Sequence, residues 1–223
     1  MNRQKSIPER MDDFFNDRVD GYDDHMKGID NSDEFYSAIP SPIASTIKPI
    51  KLLDLGCGTG LELKGIFEKA PNAHITCIDI ATGMLDELKR KYSSRSNQLS
   101  IIVGSYLDVS FSGNEFDYVL AVQTMHHWQK DVKVKLYRKI WKSLKPEGLY
   151  IEADYVVDAQ EEKERLNKYI SLQKSGALTE GEIYHIDIPF SAETQRRLLG
   201  TAGFSRIDVI YEKGTGGIFV ARK

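Results

Sequence analysis

The sequence predicts an α/β fold: a mostly parallel seven-stranded sheet between helical layers, with an antiparallel hairpin at its C-terminal end. Three observations carry this. Between residues 51 and 157, short apolar strand patterns alternate with amphipathic helical patterns, as strands linked by helical crossovers do. The strand patterns are apolar at consecutive positions, as befits strands covered on both faces. The last two strand patterns, 205–211 and 218–222, are joined by Lys213-Gly214-Thr215-Gly216-Gly217. That connection is too short for a crossover helix, so the two must pair antiparallel. A chain of 223 residues, 41% hydrophobic, can bury one sizeable core.

Taken in order, residues 1–49 form an N-terminal helical cover. Within it, Met11, Phe14, Phe15, Val19, Tyr22 and Met26 recur at three- and four-residue steps through the acidic stretch 10–34, which predicts one helix face bent or divided at Gly21. Pro40, Pro42 and Pro49 then break the chain around a short helical piece at 43–47. The main domain spans 50–223. Its first strand, 51–55, leads through Gly56, Gly58 and Gly60 into a helix over 61–70. A second strand, 74–80, precedes a helix over 82–92 with Met84, Leu85, Leu88 and Tyr92 on one side. Strands at 100–105 and 116–122 follow, then a helix over 132–144 stopped at Pro146-Glu147-Gly148, and a fifth strand at 149–157. An inserted cap occupies about 158–190, and its charged helix over 161–173 is expected to lie over the ligand-binding edge. The helix over 191–202 starts at a Ser191 N-cap, carries Glu193 in its first turn and ends near Gly203.

Composition narrows the function classes. A net charge of −3 gives no global basic field, so nucleic acid is disfavoured as a partner. The basic run from Lys130 to Lys145 (Lys130, Lys133, Lys135, Arg138, Lys139, Lys142, Lys145) is expected on a solvated helix face opposite Val132, Leu136, Ile140 and Leu144. Cys57 and Cys77 fall in buried strand or turn positions, which suits free thiols and a cytoplasmic location rather than a disulfide scaffold. Residues 1–10 are charged and read as no signal peptide; no window approaches 18 apolar residues, so no membrane partner is expected.

The chemistry is announced by Asp54-Leu55-Gly56-Cys57-Gly58-Thr59-Gly60. A strand, a glycine turn and a helix N-terminus make a nucleotide site at the C-terminal edge of a parallel sheet. Dinucleotide enzymes usually space these glycines G-x-G-x-x-G, whereas this chain has G-x-G-x-G after an acid. Asp79 ends the second strand, and one carboxylate there can accept hydrogen bonds from both hydroxyls of a ribose. The D-x-G-x-G-x-G stretch resembles the first motif of the class I S-adenosylmethionine-dependent methyltransferases, and Ile78-Asp79-Ile80-Ala81-Thr82-Gly83-Met84-Leu85 is similar to their D-x-S-x-x-M-L segment. The likeness covers 50–157 through motifs and 191–222 through strand pattern. It implies the Rossmann-like seven-stranded methyltransferase sandwich and S-adenosylmethionine as cofactor, leaving as S-adenosylhomocysteine. It further implies that Gly56, Cys57, Gly58, Thr59 and Gly60 form the cofactor loop, that Asp54 stands near the methionyl ammonium, and that Ile80 and Met84 flank the adenine. Ser105 stands where many members carry an Asp that accepts from the adenine amino group, and a backbone group near Tyr106 could replace it. Gln123 joins the same cofactor set. The segment Phe15–Asp23 resembles the family's F-x-x-R-x-x-x-Y-D lid, which would close Tyr22 over the cofactor.

The acceptor side is less legible. His126-His127-Trp128 follows the fourth strand, where the family places the methyl group, and resembles its H-H-φ element. A His near its ordinary pKa could take a proton from a hydroxyl or amine, and His185 in the inserted segment could do the same. A metal site is not expected: adjacent side chains on a strand point to opposite faces, and no Cys or acid completes a ligand spacing. Asp154, Tyr155 and Tyr184 are further pocket candidates. The expected function is methyl transfer to a small-molecule acceptor. Its rivals are a tRNA or protein methyltransferase, a non-catalytic module that binds the cofactor as a signal, and a nucleotide oxidoreductase.

Overall fold

In the computed structural model, which describes residues 8–223, seven strands form one sheet. Residues 1–7, which hold most of the segment read as no signal peptide, lie outside the described residues. The strands are β1 (Lys51–Leu55), β2 (His74–Asp79), β3 (Leu99–Val103), β4 (Phe116–Val122), β5 (Leu144–Tyr155), β6 (Arg206–Lys213) and β7 (Gly216–Arg222). Their order is β3-β2-β1-β4-β5-β7-β6. The first five run parallel, and β7 inserts antiparallel between β5 and β6. The order reverses between β1 and β4, and such a switch point opens a crevice at the strands' C-terminal ends. Gly56 leaves β1 there and Gln123 leaves β4.

Alternate side chains of the apolar strands enter different cores. Leu53 and Leu55 of β1 pack with Leu136, Tyr137 and Ile140 of α6 (Lys130–Ser143) and with Leu198 and Leu199 of α8 (Ala192–Ala202). Leu52 packs on the other face with Leu63 and Ile66 of α4 (Leu63–Lys69) and Leu85 and Leu88 of α5 (Thr82–Lys91). Ser191 caps α8 through the Thr194 N–H, and Gly203 ends it at φ 113°.

Several elements differ from expectation for identifiable reasons. The N-terminal cover is three short helices, α1 (Met11–Asn16), α2 (Tyr22–Lys27) and α3 (Ser32–Ala38), because Gly21 and Asn31 take left-handed backbone before α2 and α3. No helix forms at 43–47. There Lys69 Nζ donates to the carbonyls of Ser41 (2.9 Å) and Ile43 (3.1 Å), and the second of these is the acceptor that a helix over 43–47 would use. The third strand ends at Val103, which leaves Ser105 and Tyr106 in the following loop. The fifth strand begins at Leu144 and continues through Pro146; Pro146 is tolerated because β7 pairs only from Leu149 onward and the register against β4 shifts at Phe116/Tyr118. Lys133 is buried rather than solvated: its Nζ lies 2.8 Å from Gln195 Oε1 and 3.4 Å from Glu152 Oε1, while Glu152 Oε2 accepts from the Tyr137 and Tyr150 hydroxyls. The inserted helix, α7 (Ala159–Lys174), buries only Glu162 and stands away from the crevice. The segment that reaches the crevice is 183–187, pinned to the cover by Met11 N–H to Ile183 O (2.9 Å) and His185 N–H to Glu9 O (3.0 Å).

Candidate active site

The glycine turn is stitched to β2. Gly56 and Cys57 N–H groups both donate to Ile78 O, at 2.8 and 3.2 Å. Gly58 N–H donates to Asp79 Oδ2 and Ala81 N–H to Asp79 Oδ1, both at 2.8 Å. Burial pushes the Asp79 carboxyl up, and those N–H groups oppose the rise. Gly56 sits at φ 66° with no room for a side chain, since a Cβ there would run into Thr124. Gly58 sits at φ 49° and faces open space. That space is a cavity of about 740 Å³. It is lined by Gly56, Cys57, Gly58, Thr59, Asp79, Ile80, Met84, Ser105, Tyr106 and Gln123, and roofed by Met11, Phe15, Tyr22, Tyr36 and Ile183. All the sequence-expected cofactor residues therefore border it except Asp54, which lies beneath, and Gly60, whose N–H closes the turn onto Cys57 O at 2.8 Å. Ser105 reaches the cavity, but its hydroxyl already accepts from Leu107 N–H at 3.2 Å. Burial raises the Cys57 thiol well above its ordinary pKa, which makes it inert packing.

Beneath the loop lies an arrangement the sequence reading missed. Asp54 is fully buried and neither carboxyl oxygen has a hydrogen-bond partner; Glu62, 5% exposed, leaves one oxygen unpaired as well. Burial, and then the charge of Glu62, pushes Asp54 well above the usual carboxylate range, and burial raises Glu62 too. Two buried acids without a cation are costly. They fit the positively charged ammonium of an amino-acid-like ligand. Glu62, two residues past the last glycine, could have been found from that position. Above the loop, Asp23 of α2 accepts from the Thr59 hydroxyl and from Lys91 Nζ, latching the cover to the turn.

A second cavity, of about 1120 Å³, shares Phe15, Tyr22 and Gln123 with the first. Gln123 takes left-handed backbone at φ 51°, and its side-chain oxygen is buried without a partner. Four histidines line this second space: His25 of α2, His126, His127 and His185. His126 and His127 follow the fourth strand as expected, but not in the extended backbone on which the case against a metal site rested. They sit in a 3₁₀ turn, Met125–His127, with ring centroids 4.0 Å apart. His126 N–H donates to Asp154 Oδ2 (2.8 Å), and its ring Nδ1 lies 2.6 Å from Asp154 Oδ1. Burial alone would raise the Asp154 carboxyl, but the charge and hydrogen bond of His126, with Lys133 behind, hold it below the usual range. Asp154 also accepts the Tyr155 N–H at 2.8 Å, so it stands as an acceptor to backbone donors on both oxygens, which assigns the proton to His126 Nδ1 and leaves Nε2 toward the cavity. Burial and then its two histidine neighbours push His127 well below its ordinary pKa; burial also lowers His185, which stacks on Phe14 with centroids 3.5 Å apart. Tyr155 lines the cavity, whereas the Tyr184 hydroxyl turns away to accept from Thr179 N–H. The acid absent from the sequence reading is Asp187. Its Oδ1 is 3.6 Å from His126 Nε2, 3.6 Å from His127 Nδ1 and 3.8 Å from His185 Nε2. His185 and Asp187 are two apart in an irregular segment, a spacing that puts side chains on one face when backbone is extended. That was the available signal.

Comparison with known proteins agrees with this geometry. Residues 52–148 match the family model described as a methyltransferase domain. A carboxy-S-adenosyl-L-methionine synthase from Wolinella succinogenes is 26% identical over 181 residues, covering 76% of this chain and 75% of its own. A crystal structure of an O-methyltransferase from Nostoc punctiforme superposes with a TM-score of 0.69 at 22% identity, covering 94% of this chain and 60% of that one. Human N-acetylserotonin methyltransferase, solved in complex with its cofactor, gives 0.66 at 18% identity, over 95% of this chain and 56% of its own. These two structures establish the fold. The methyltransferase domain matched at residues 52–148 and these likenesses identify an enzyme that uses S-adenosylmethionine, carried on the seven-stranded methyltransferase fold.

Proposed function

We propose that this enzyme transfers the cofactor's methyl group to a small molecule held in the histidine-lined cavity. The observation that carries this reading is the junction at Phe15, Tyr22 and Gln123, where the cofactor cavity meets a second cavity beneath the N-terminal cover. An acceptor there must fit under α1 and α2. A tRNA or folded protein would need an open basic surface beside the methyl, whereas α1 and α2 carry Asp12, Asp13, Asp23 and Asp24. In the proposed complex, Asp79 accepts from the ribose hydroxyls, the Asp54–Glu62 pair faces the ammonium, and Ile80 and Met84 bracket the adenine. A lone pair on the acceptor attacks the methyl carbon as the carbon–sulfur bond breaks, leaving neutral S-adenosylhomocysteine. Sulfonium is already electrophilic, so alignment can supply about 7–11 kcal/mol of the rate. His126, oriented by Asp154, is the group we assign to activating the acceptor, with His127 and His185 beside it.

The likeness to a carboxy-S-adenosylmethionine synthase raises a second reading, in which the cofactor itself gains a carboxyl group. A carboxylate in the cofactor cavity needs a cationic partner. Among the described residues no Lys or Arg lines that cavity, which favours ordinary methyl transfer. No described helix is long and apolar enough to cross a membrane. Two buried free thiols fit a reducing cytoplasm.

Calorimetry with S-adenosylmethionine, S-adenosylhomocysteine and NAD is the first test, followed by labelled-methyl transfer to a small-molecule extract and to bulk tRNA. Binding of the first two ligands with labelling of the extract is expected. Labelling of tRNA alone refutes the acceptor class. His126→Ala should lower kcat/KM about 10²-fold or more with homocysteine-product affinity retained.

A further inference from the structure

We propose that His126, His127 and Asp187 bind a divalent transition-metal ion at the acceptor end of the cavity, with one coordination position left open. One donor atom from each residue lies within 4.8 Å of the other two, and Asp187 Oδ1 is 3.6 Å from both His126 Nε2 and His127 Nδ1. Two ligands each about 2.1 Å from a tetrahedral ion stand roughly 3.4 Å apart, so the two pairs that Asp187 makes need only a small contraction, and the two imidazoles must close from within 4.8 Å. Two of the three donors are prepared for the task; the third, His127 Nδ1, lies 3.3 Å from the Ile186 carbonyl and gives up that contact with its proton when it ligates. Asp154 accepts from His126 Nδ1, leaving the Nε2 lone pair free, in the carboxylate–histidine arrangement that orients metal ligands. Asp187 Oδ1 is buried and has no hydrogen-bond partner, a cost that an ion removes. The short turn Met125–His127 puts two adjacent imidazoles on one side, and the Ile188 N–H to His126 O bond (2.7 Å) holds the segment carrying Asp187 against them. His185, stacked on Phe14, stands outside the three-ligand set.

Two imidazoles, one carboxylate and an open position suit Zn²⁺ or Fe²⁺ rather than Ca²⁺ or Mg²⁺. The open position lies in the cavity where the acceptor is proposed to bind. With an ion bound, His126 would activate the acceptor as a ligand of that ion rather than as a base: a hydroxyl or thiol ligating there would lose its proton to solvent more readily, and its lone pair would form the bond to carbon as sulfur departs. This role rests on the methyl-transfer reading; binding of the ion does not.

The full chain, stripped with a chelator, is titrated with Zn²⁺ against a chromogenic chelator, and with Co²⁺ followed by its visible absorption. S-adenosylhomocysteine affinity is measured by calorimetry on the same samples. The expected result is one equivalent of Zn²⁺, bound at least about 10²-fold more weakly by Asp187→Asn and His127→Ala, and about 10–100-fold more weakly by Asp154→Asn. His74→Ala, at an exposed position remote from the cavity, should bind as the parent does. Homocysteine-product affinity should persist in every variant, which shows that the fold survives. No stoichiometric uptake, or equal affinity in Asp187→Asn and the parent, overturns the site. Loss of product binding in the parent overturns the methyltransferase reading instead and leaves the ion standing.

Discussion

Replacing Gly58 by alanine should separate ligand binding from folding, and replacing Gly56 should not. Both glycines hold left-handed backbone, at φ 49° and 66°. An L residue in that conformation costs about 1–2 kcal/mol. At Gly58 nothing lies within 4 Å of an added Cβ, so the conformational cost is the whole effect on stability, and the new methyl enters the cofactor cavity. At Gly56 the Cβ would run into Thr124, with 2.8 Å to its Cβ, adding an overpacking cost of about 1–3 kcal/mol, for a total near 2–5 kcal/mol. Relief by moving Thr124 disturbs its 2.8 Å hydrogen bond to the Tyr106 hydroxyl at the cavity wall. Urea denaturation gives the stabilities and calorimetry the affinity for S-adenosylhomocysteine. Gly58→Ala should remain folded and bind at least about tenfold more weakly, a loss of roughly 1.4 kcal/mol or more. Gly56→Ala should be the less stable of the two. Parent-like affinity in Gly58→Ala would falsify the placement of the cofactor against this loop.

Other consequences concern charge and closure. Because Asp54 and Glu62 both carry raised pKa values when buried without a cation, an arriving ammonium should lower them and expel protons. Homocysteine-product binding should then show an enthalpy that varies with the buffer's ionisation enthalpy, an affinity that rises with pH, and a smaller proton release in Glu62→Gln; buffer-independent enthalpy would argue against the pair's role. Glu162 tests a structural contact. Burial alone would raise its carboxyl, but Lys130, the N–H and hydroxyl of Ser191, and Thr194 bring it from 4.5 down to about 2. A depressed folded-state pKa stabilises above pH 4.5 and loses that contribution as pH falls toward 2, so the stability gap between the parent and Glu162→Gln should narrow across that window in denaturation curves. For the cover, hydrogen exchange over residues 10–30 should slow when S-adenosylhomocysteine binds, and Asp23→Ala, which removes the latch to Thr59 and Lys91, should speed it in the free protein. Equal exchange with and without ligand would mean that α1 and α2 only brace the core.

The sequence by itself determined whatever depends on short-range pattern. Apolar runs specified the strands, because a strand covered on both faces favours apolar residues at consecutive positions. The five-residue connection between the last two strands specified the hairpin, because no crossover fits in it. The acid–glycine turn and Asp79 were legible because a ligand that approaches backbone requires absent side chains and a strand-end acceptor, both written locally. Tertiary structure alone decided the rest. Lys133 lies on a helix whose periodicity reads it as solvated, and only Glu152 and Gln195, from β5 and α8, make its burial affordable. The helix expected at 43–47 is absent, and Lys69, distant in sequence, occupies the Ile43 carbonyl that its first turn would have used. The histidine cluster is the clearest case. His126 meets Asp154 from the next strand and Asp187 from the inserted segment, and a 3₁₀ turn rather than a strand brings His127 alongside. The chemistry of such a cluster comes from separations of a few ångströms between residues far apart in the chain, which spacing along the sequence does not encode.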